Sequence, residues 1–341
     1  MFFQLTTLPR IHARAFSRRS QARGGLFGRK IQVRKLHEDY LSLKRTNYVS
    51  DTDTPFAKPN FISFDVFDTL YTPKKSMPEQ YYDIATEEFG LNVSLEEIQE
   101  RFPTVSSHLN LQFPNYGKYS PEMSSSDEWW SEMVTRLFQL PHYKDNKDTE
   151  ALCKRLISHF TTEHAYIVYD DVVPALEKCK KNAIPMIICS NASHHMYKAL
   201  ENLGLLAYFP KESIFISYDV DCAKPDRRFF SSVIDKYVSD KSIKTNTEKL
   251  DSYLSNCWHI GDHLSKDYIS SIKSGWNGVL LDRENRYGLF SSTTQDPAAN
   301  EKPVMCGMEY EQSKAGTNDG VRVLGDNRVV ARNLVDAVDI F

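Results

Sequence analysis

Long apolar runs, paired cysteine motifs and low-complexity stretches are all missing from this 341-residue sequence. No segment reaches the roughly 18 consecutive apolar residues that a membrane-spanning helix needs, so we predict no membrane span. Glycine and proline number only 14 and 15, which excludes collagen-like and wholly disordered classes. The length suits one large domain or two modest ones. We therefore expect a folded protein with a substantial core.

The six cysteines are widely spaced and include no Cys-x-x-Cys motif. Zinc ribbons and disulfide-rich scaffolds need closely spaced or regularly patterned cysteines. We therefore predict reduced thiols, most of them packed in the core.

Acidic residues are absent from the first 35 positions. These positions hold nine of the 42 lysine and arginine residues, so the remainder, with all 45 acidic residues, carries a net charge of about −12. An acidic body disfavours nonspecific binding of nucleic acid, which depends on neutralising phosphates with basic side chains. We predict that nucleic acid is not a partner.

Residues 1–35 have the composition of a mitochondrial transit peptide, rich in arginine and free of acid, with serine, threonine and scattered apolar residues. The stretch 14–17, Arg-Ala-Phe-Ser, resembles a matrix-processing site. A disordered basic tail, a nucleic-acid arm or a nuclear signal are the alternatives. We expect a mitochondrial protein, located in the matrix, whose transit peptide is followed by a polar linker over residues 36–60.

Strand and helix patterns alternate through most of the body. Residues 61–66 form a short apolar run rich in β-formers, as expected of a strand buried on both faces. Beyond residue 166, strands and helices alternate, a pattern that builds right-handed crossovers onto a parallel sheet. The sequence therefore predicts an α/β fold, a doubly wound parallel sheet formed by residues 61–77 and 166–341.

Near the C-terminus the pattern weakens. We predict a polar loop over residues 291–319, one short strand over 321–324 and a last helix over 331–339.

Helical periodicity dominates residues 78–165. Ser-x-x-Glu spacing at residues 94–97 and 125–128 is typical of capping boxes at helix starts. The neighbouring Trp129 and Trp130 would diverge by about 100° on one helix, so we expect one or both to pack within this block rather than contact a ligand. The block is predicted to form a separate helical domain.

Polar side chains follow several of the predicted strands. In open sheets, ligands bind beyond the carboxyl ends of the strands, at the point where the strand order reverses. Carboxylates, hydroxyls and a lysine gathered there suit the binding of a divalent cation against a phosphoryl or carboxyl group. The residues at these strand ends are Asp65, Thr69, Ser190, Asn191, Lys224, Asp262 and Asp267.

Four motifs at these strand ends resemble those of the haloacid dehalogenase superfamily, in the same order. They are Phe64-Asp65-Val66-Phe67-Asp68-Thr69-Leu70, Ile188-Cys189-Ser190-Asn191, Ala223-Lys224-Pro225, and Ile260-Gly261-Asp262 followed by Asp267. The resemblance covers roughly two-thirds of the chain. It implies a doubly wound catalytic core and a mobile helical cap, which would be residues 78–165.

The resemblance implies catalytic and substrate-binding roles. Asp65 would attack phosphorus to form an aspartyl-phosphate that water then hydrolyses. Lys224 would neutralise charge on the nucleophile and on the transferring group. Thr69, Ser190 and Asn191 would bind the phosphoryl group.

The resemblance also implies Mg²⁺ as the cofactor. Its ligands would be the Asp65 carboxylate, the Phe67 backbone carbonyl, Asp262 and Asp267, with waters completing the coordination shell. Asp267 would alternatively orient Lys224 or those waters.

One position departs from the family pattern. Phosphatases of the family carry a second aspartate two residues after the nucleophile, as general acid and base, and Phe67 occupies that place here. Asp68 cannot simply replace it, because successive strand side chains point to opposite faces, and we expect Asp68 to stabilise a turn. General acid catalysis contributes about 10²–10⁴-fold.

Three explanations of this departure stay open. Another group, such as His194, His195 or His263, supplies the proton; the substrate needs none; or the protein has kept binding and weakened catalysis. We expect a Mg²⁺-dependent phosphatase of a small phosphorylated metabolite, since a closing cap leaves no room for a macromolecule. A binding or regulatory protein is the alternative, and a dehalogenase-like hydrolase is a further one.

Overall fold

The computed structural model describes residues 56–240, 247–290, 320–325 and 328–341. The predicted transit peptide and residues 36–55 of the predicted linker lie outside these ranges, as does the predicted loop over 291–319. No helix in the described ranges is long and apolar enough to cross a membrane.

Nine strands are found in the described residues. They are β1 (Phe61–Phe64), β2 (Tyr71–Pro73), β3 (Tyr166–Val168), β4 (Met186–Ser190), β5 (Ile214–Ile216), β6 (Cys257–Gly261), β7 (Asn277–Leu281), β8 (Val321–Gly325) and β9 (Arg328–Ala331).

Eleven α-helices are found in the described residues, four of them between β2 and β3 and the others after β3. They are α1 (Met77–Glu87), α2 (Leu95–Gln112), α3 (Ser126–Phe138), α4 (Lys147–His159), α5 (Val172–Lys181), α6 (His195–Asn202), α7 (Ser217–Val220), α8 (Arg227–Asp240), α9 (Thr247–Leu254), α10 (Ser270–Lys273) and α11 (Leu334–Val338). A π-helical turn, Leu264–Ile269, leads directly into α10.

Seven of the strands form one sheet in the order β5-β4-β1-β6-β7-β9-β8. All neighbouring pairs are parallel except β8 and β9, which are antiparallel. From β1, at the centre, the chain adds β4 and β5 on one side and later β6 and β7 on the other. The strand order therefore reverses beside β1, and the predicted doubly wound α/β fold is confirmed.

The sheet is buried on both faces, as the apolar strand sequences predict. Every residue of β1, β6 and β7 is buried. Phe64 of β1 pairs with Ile188 of β4 and Ile260 of β6, and all three side chains belong to the main apolar core. This rigid centre fixes the directions in which the carboxyl ends of β1, β4 and β6 point.

The helices α1–α4 have apolar clusters of their own. One cluster includes Ile98, Val134, Leu137 and Leu156, each fully buried. The predicted helix starts are observed: the Ser94 side chain accepts from the Glu97 backbone N–H at the start of α2, and Ser125 caps α3 in the same way. We call these four helices, together with the loops between them and residues 160–165, the cap.

A two-stranded ribbon of β2 and β3 joins the sheet to the cap. Tyr71 pairs with Val168 and Pro73 with Tyr166, antiparallel. The chain enters and leaves the cap through this ribbon. The ribbon was not predicted, because each strand has only three residues and one contains a proline, which weakens the strand signal in the sequence.

The C-terminal prediction was wrong in detail. Residues 321–325 and 328–331 form a β-hairpin, and β9 adds to the sheet beside β7. The predicted last helix is shorter and begins only at Leu334, capped by the Asn333 side chain. Val329, Val330 and Ala331 are fully buried, and this burial favours a strand at 328–331, where the expected helix included only residue 331.

Candidate active site

A cavity of about 460 Å³ lies beyond the carboxyl ends of β1, β4 and β6, between the sheet and the cap. Such volumes are typical of small-molecule sites. Of the residues singled out from the sequence, the structure places these in its lining: Asp65, Phe67, Ser190, Asn191, Lys224, Asp262 and Asp267.

Thr69 lies elsewhere. Its side chain is fully buried outside the cavity lining, and its hydroxyl has no hydrogen-bond partner among the described residues. The preceding turn explains this position: Leu70 N–H donates to the Val66 carbonyl at 2.8 Å, and Asp68 adopts a positive φ of 58°. Thr69 therefore turns into the fold instead of toward the cavity, and the structure does not support its expected contact with a phosphoryl group.

Lys224 is the centre of a buried ionic cluster. Its Nζ donates to Asp65 Oδ1 at 2.8 Å, to Asp267 Oδ1 at 2.6 Å and to the Cys189 carbonyl at 2.6 Å. The side chains of Lys224 and Asp267 are each only 2% exposed. All three donor hydrogens of the ammonium group are therefore used, and Lys224 is held against the predicted nucleophile.

Asn191 fixes the backbone that carries this lysine. Its Nδ2 donates to the Lys224 carbonyl and its Oδ1 accepts from the Lys224 N–H, both at 2.7 Å. One Nδ2 hydrogen and Oδ1 of the Asn191 side chain thus hold the Lys224 loop in place. Asn191 also lines the cavity, and the second hydrogen of its Nδ2 is left for a phosphoryl oxygen.

Asp267 fits closely beneath the end of β6. A Cβ atom at Gly261 would lie 2.4 Å from the Asp267 Cγ, so only glycine leaves room for the carboxylate. Asp267 Oδ1 accepts from Lys224, and Oδ2 accepts from the His263 backbone N–H at 3.0 Å. These contacts support the role of orienting Lys224 for Asp267, and one lone pair of Oδ2 is left for a metal ion.

A fully buried histidine completes the cluster. His259 Nε2 lies 3.2 Å from Asp267 Oδ1, and its Nδ1 lies 2.8 Å from the Ser63 hydroxyl. Burial lowers the pKa of His259, more than Asp267 raises it, so the ring is neutral near pH 7. A neutral ring can donate from Nε2 to Asp267 and accept at Nδ1 from Ser63.

The charged groups of the cluster shift one another's pKa values. Burial alone would lower the pKa of Lys224, but Asp267 and Asp65 raise it above its ordinary value. Burial would raise the pKa of Asp267, but Lys224 and the hydrogen bond from His259 hold it below the usual range. Burial raises the pKa of Asp65, and Lys224 opposes that rise. Lys224 and Asp267 are therefore both ionised across the physiological range.

Asp262 lacks such compensation. Burial, followed by repulsion from Asp65 and Asp267, raises its pKa to about 7. Its ion-pair contact with Arg286 spans 4.0 Å. A nearby cation would stabilise the ionised form of this carboxylate and lower its pKa again.

The acidic side chains fit a hard divalent cation. One carboxylate oxygen each from Asp65, Asp262 and Asp267 lie within 4.8 Å of one another. Carboxylate oxygen is the ligand type that Mg²⁺ prefers, and Mg²⁺ commonly takes only one or two protein carboxylates. Asp65 and Asp262 are the two whose oxygens are least committed to protein donors.

The three histidines considered as proton donors have other contacts. His194 Nε2 pairs with Asp219 at 2.7 Å, and His263 Nδ1 accepts from backbone N–H groups at the start of the π-helical turn. His195 lines the cavity, with its Nε2 3.0 Å from Asp127 of the cap. None of them occupies the place of Phe67, whose ring is 40% exposed and lines the cavity.

His259 was not predicted to be part of the site, and Gly261 was named only within the fourth motif, without a role. His259 pairs with Ser63 on the adjacent strand, so a polar pair inside two otherwise apolar strands was the available signal. Asp68 accepts from the Thr72 hydroxyl at 2.7 Å, which matches the turn role expected of it. Of the adjacent tryptophans, Trp129 is buried in the cap, whereas Trp130 reaches the cavity.

Comparisons with known proteins agree with this fold. The haloacid dehalogenase-like hydrolase family matches residues 60–275. The chain therefore belongs to the haloacid dehalogenase-like hydrolase family.

Individual relatives are of moderate similarity. The Saccharomyces cerevisiae protein YMR130W is 32% identical over 247 residues, 72% of this chain and 79% of its own length. Haloacid dehalogenase-like hydrolase domain-containing protein 3 of Danio rerio is 28% identical over 225 residues, 66% of this chain and 86% of its own. Among solved structures, the magnesium-bound HAD-hydrolase YfnB of Bacillus subtilis has a TM-score of 0.48 and 20% identity, covering 67% of this chain and 91% of that chain.

Proposed function

We propose that the protein is a Mg²⁺-dependent phosphatase of a small phosphorylated compound, acting through an aspartyl-phosphate on Asp65. The observation that carries this proposal is the convergence of Asp65 and Asp262 on one side of the cavity, with Lys224 bonded to Asp65 at 2.8 Å. Nucleophile, candidate metal ligands and a fixed positive charge are the groups that phosphoryl transfer requires.

The charge of the site supports the need for a cation. Four aspartates line the cavity, and the lysines in its lining are Lys224 and Lys266. A phosphate ester carries further negative charge and would be repelled by this excess of carboxylates. Mg²⁺ bound by Asp65 and Asp262, with the Phe67 carbonyl as a further expected ligand, would offset that charge and polarise the phosphoryl group.

Asp65 is suited to be the attacking group. One of its oxygens, Oδ1, accepts from Lys224, and the side chain lines the cavity. In the first step a carboxylate oxygen forms a bond to phosphorus while the bond from phosphorus to the leaving oxygen breaks. In the second step a water oxygen attacks phosphorus, the bond to Asp65 breaks, and inorganic phosphate leaves. Lys224 holds its proton throughout and stabilises negative charge on the transferring group.

Phe67 restricts the leaving groups that this site can release. With no carboxyl at residue 67, the leaving oxygen departs with its electron pair and takes a proton from solvent. Acyl phosphates and phenyl esters release stable anions, whereas alkyl esters release strongly basic alkoxides. We expect the former to be substrates and sugar phosphates to react slowly.

Phe67 also favours a second candidate, a binding or regulatory protein that has retained affinity for Mg²⁺ and phosphate. A panel of acyl, aryl and alkyl phosphates, assayed with and without Mg²⁺, separates the two candidates. We expect Mg²⁺-dependent release of phosphate from the acyl and aryl members and none in Asp65→Asn. Phosphate binding without turnover of any member supports the second candidate, and turnover retained in Asp65→Asn contradicts the first.

We further propose import into the mitochondrial matrix. The support is the composition of residues 1–35, with arginine-rich and acid-free sequence ahead of the hydrolase. N-terminal sequencing of protein purified from its own cells tests this. We expect a mature N-terminus near residue 17 or further along the chain, and an intact Met1 on cytosolic protein would contradict it.

A further inference from the structure

Part of the cavity lining is aromatic. Ring centroids lie 6.4 Å apart for Phe67 and Tyr71, 4.7 Å for Tyr71 and Tyr166, and 6.2 Å for Tyr166 and Phe160. Phe160 stacks on Tyr81 with centroids 5.1 Å apart. These rings form a connected series that starts at Phe67, the residue in the place of the general acid.

Two more rings approach from the loop before α3 and from α3 itself. Tyr116 and Trp130 have centroids 6.0 Å apart, and both line the cavity. We call the full set the aromatic wall: Phe67, Tyr71, Tyr81, Tyr116, Trp130, Phe160 and Tyr166.

The cap contributes no charged side chain to the described cavity lining. Its contributions are Met77, Tyr81, Tyr116, Trp130, Ile157 and Phe160. The carboxylates and lysines of the lining all come from the sheet side. A leaving group with a carboxylate or a second phosphate would therefore meet no positive charge on the cap.

The tyrosines of the wall are themselves neutral. Burial, together with nearby Asp65, raises the pKa of Tyr116 to about 12, and burial raises the pKa of Tyr71 well above its usual value. Tyr116 also donates its hydroxyl proton to the Asn191 carbonyl at 3.2 Å. The wall thus offers uncharged side chains to a ligand.

We propose that the substrate is an aryl phosphate monoester, whose uncharged ring packs on the aromatic wall while its phosphoryl group lies at Asp65. This inference rests on the phosphatase function proposed above and specifies its substrate class. Two features agree on it: the wall favours an aromatic ring, and a phenol, with a pKa of about 10 as in tyrosine, leaves without a general acid far more readily than an alkanol.

The test compares two phosphates whose leaving groups differ in shape but little in acidity. 2-Naphthyl phosphate presents rings, and hexafluoroisopropyl phosphate presents a compact alcohol about as acidic as a phenol. We expect the wild-type kcat/KM to favour the naphthyl ester by about tenfold or more, since aromatic pairs add to the burial of apolar area. Equal values would overturn the inference.

Substitutions in the aromatic wall test whether it causes the preference for the naphthyl ester. Trp130→Leu and Phe160→Leu alter half-buried rings and should each lower the naphthyl preference several-fold, with little change for the compact ester. Tyr119→Leu is the matched control, because Tyr119 belongs to the cap region, is 68% exposed and does not line the cavity. The ratio of two kcat/KM values does not depend on the fraction of folded enzyme. An unchanged ratio in both wall variants would contradict the assignment.

A binding arm separates this inference from the phosphatase proposal. Naphthylmethylphosphonate and methylphosphonate cannot be hydrolysed, and their Kd values with Mg²⁺ can be followed by tryptophan fluorescence or calorimetry. If the protein hydrolyses no ester but binds the naphthyl compound more tightly, the aromatic binding site is supported and the phosphatase proposal is contradicted. Aromatic ring faces also attract quaternary ammonium groups, so phosphocholine is tested beside the naphthyl compound. Tighter binding of phosphocholine would contradict the proposal that the ligand's group on the wall is an uncharged ring.

Discussion

Replacing Lys224 by methionine should destabilise the protein in a pH-dependent way. The side chain is 2% exposed and bonded to Asp65 and Asp267, so Lys224→Met leaves two buried carboxylates without their cation. Breaking a buried pair by removing one partner costs about 3–5 kcal/mol. With an unfolding entropy of about 2.1 cal/mol/K per residue over 341 residues, that corresponds to a fall in Tm of roughly 4–7 °C near pH 8.

The sign of the pH dependence follows from the two carboxylates. In the variant their folded-state pKa values rise above the unfolded value of about 3.9, so the folded state binds protons that the unfolded state has released. The variant therefore loses stability as pH rises above about 4 and regains it on acidification. In the wild type Asp267 is held ionised by Lys224, so the difference between the two proteins should widen from pH 5 to pH 8.

Thermal unfolding at several pH values, without metal, measures this difference. Adding Asp267→Asn to Lys224→Met should recover part of the loss, since it removes one uncompensated charge. Lys75→Met is the control, because Lys75 forms an exposed pair with Asp83 and its loss should change Tm little. A Tm deficit of Lys224→Met that is equal at pH 5 and pH 8, or absent, would refute the buried cluster.

Three further predictions concern the metal, the close packing and the missing acid. Mg²⁺ should raise Tm more at pH 8 than at pH 6, because a proton on Asp262, with its pKa of about 7, competes with the metal; an increment that persists in Asp262→Asn would place the metal elsewhere. Gly261→Ala should cost about 1–3 kcal/mol in calorimetric unfolding, since the new Cβ would meet Asp267 Cγ at 2.4 Å; an unchanged Tm would contradict that contact. Phe67→Asp should raise turnover of alkyl phosphates by up to about 10²-fold and of acyl phosphates far less; an equal gain on both would indicate altered binding instead.

The sheet and the residues at its strand ends could be predicted because their signals are local. Phe61–Phe64 is apolar and rich in β-formers, and Asp65 follows it directly. Once parallel strands are inferred, their carboxyl ends must meet at one edge, which brings Asp65, Lys224 and Asp262 together without further information.

The roles of other residues depend on packing between distant segments and could not be predicted this way. The motif of Asn191 indicates a phosphate ligand, but it does not indicate that the side chain also holds the Lys224 backbone, 33 positions along the chain. Thr69 turns into the fold because of a bend that strand periodicity does not report. Trp130 reaches the cavity while its neighbour Trp129 is buried. The orientation of α3 within the cap determines which of the two side chains faces the cavity.

The most direct test of the proposed chemistry is to trap the phosphoryl group on Asp65. The protein is mixed with acetyl phosphate or 2-naphthyl phosphate and Mg²⁺, quenched in acid within the first turnover, and its peptides are analysed by mass spectrometry. We expect the mass of one phosphoryl group on the peptide containing Asp65, and no such adduct in Asp65→Asn, which should also release no phosphate. Turnover with the adduct on another residue, or undiminished turnover in Asp65→Asn, would contradict Asp65 as the nucleophile.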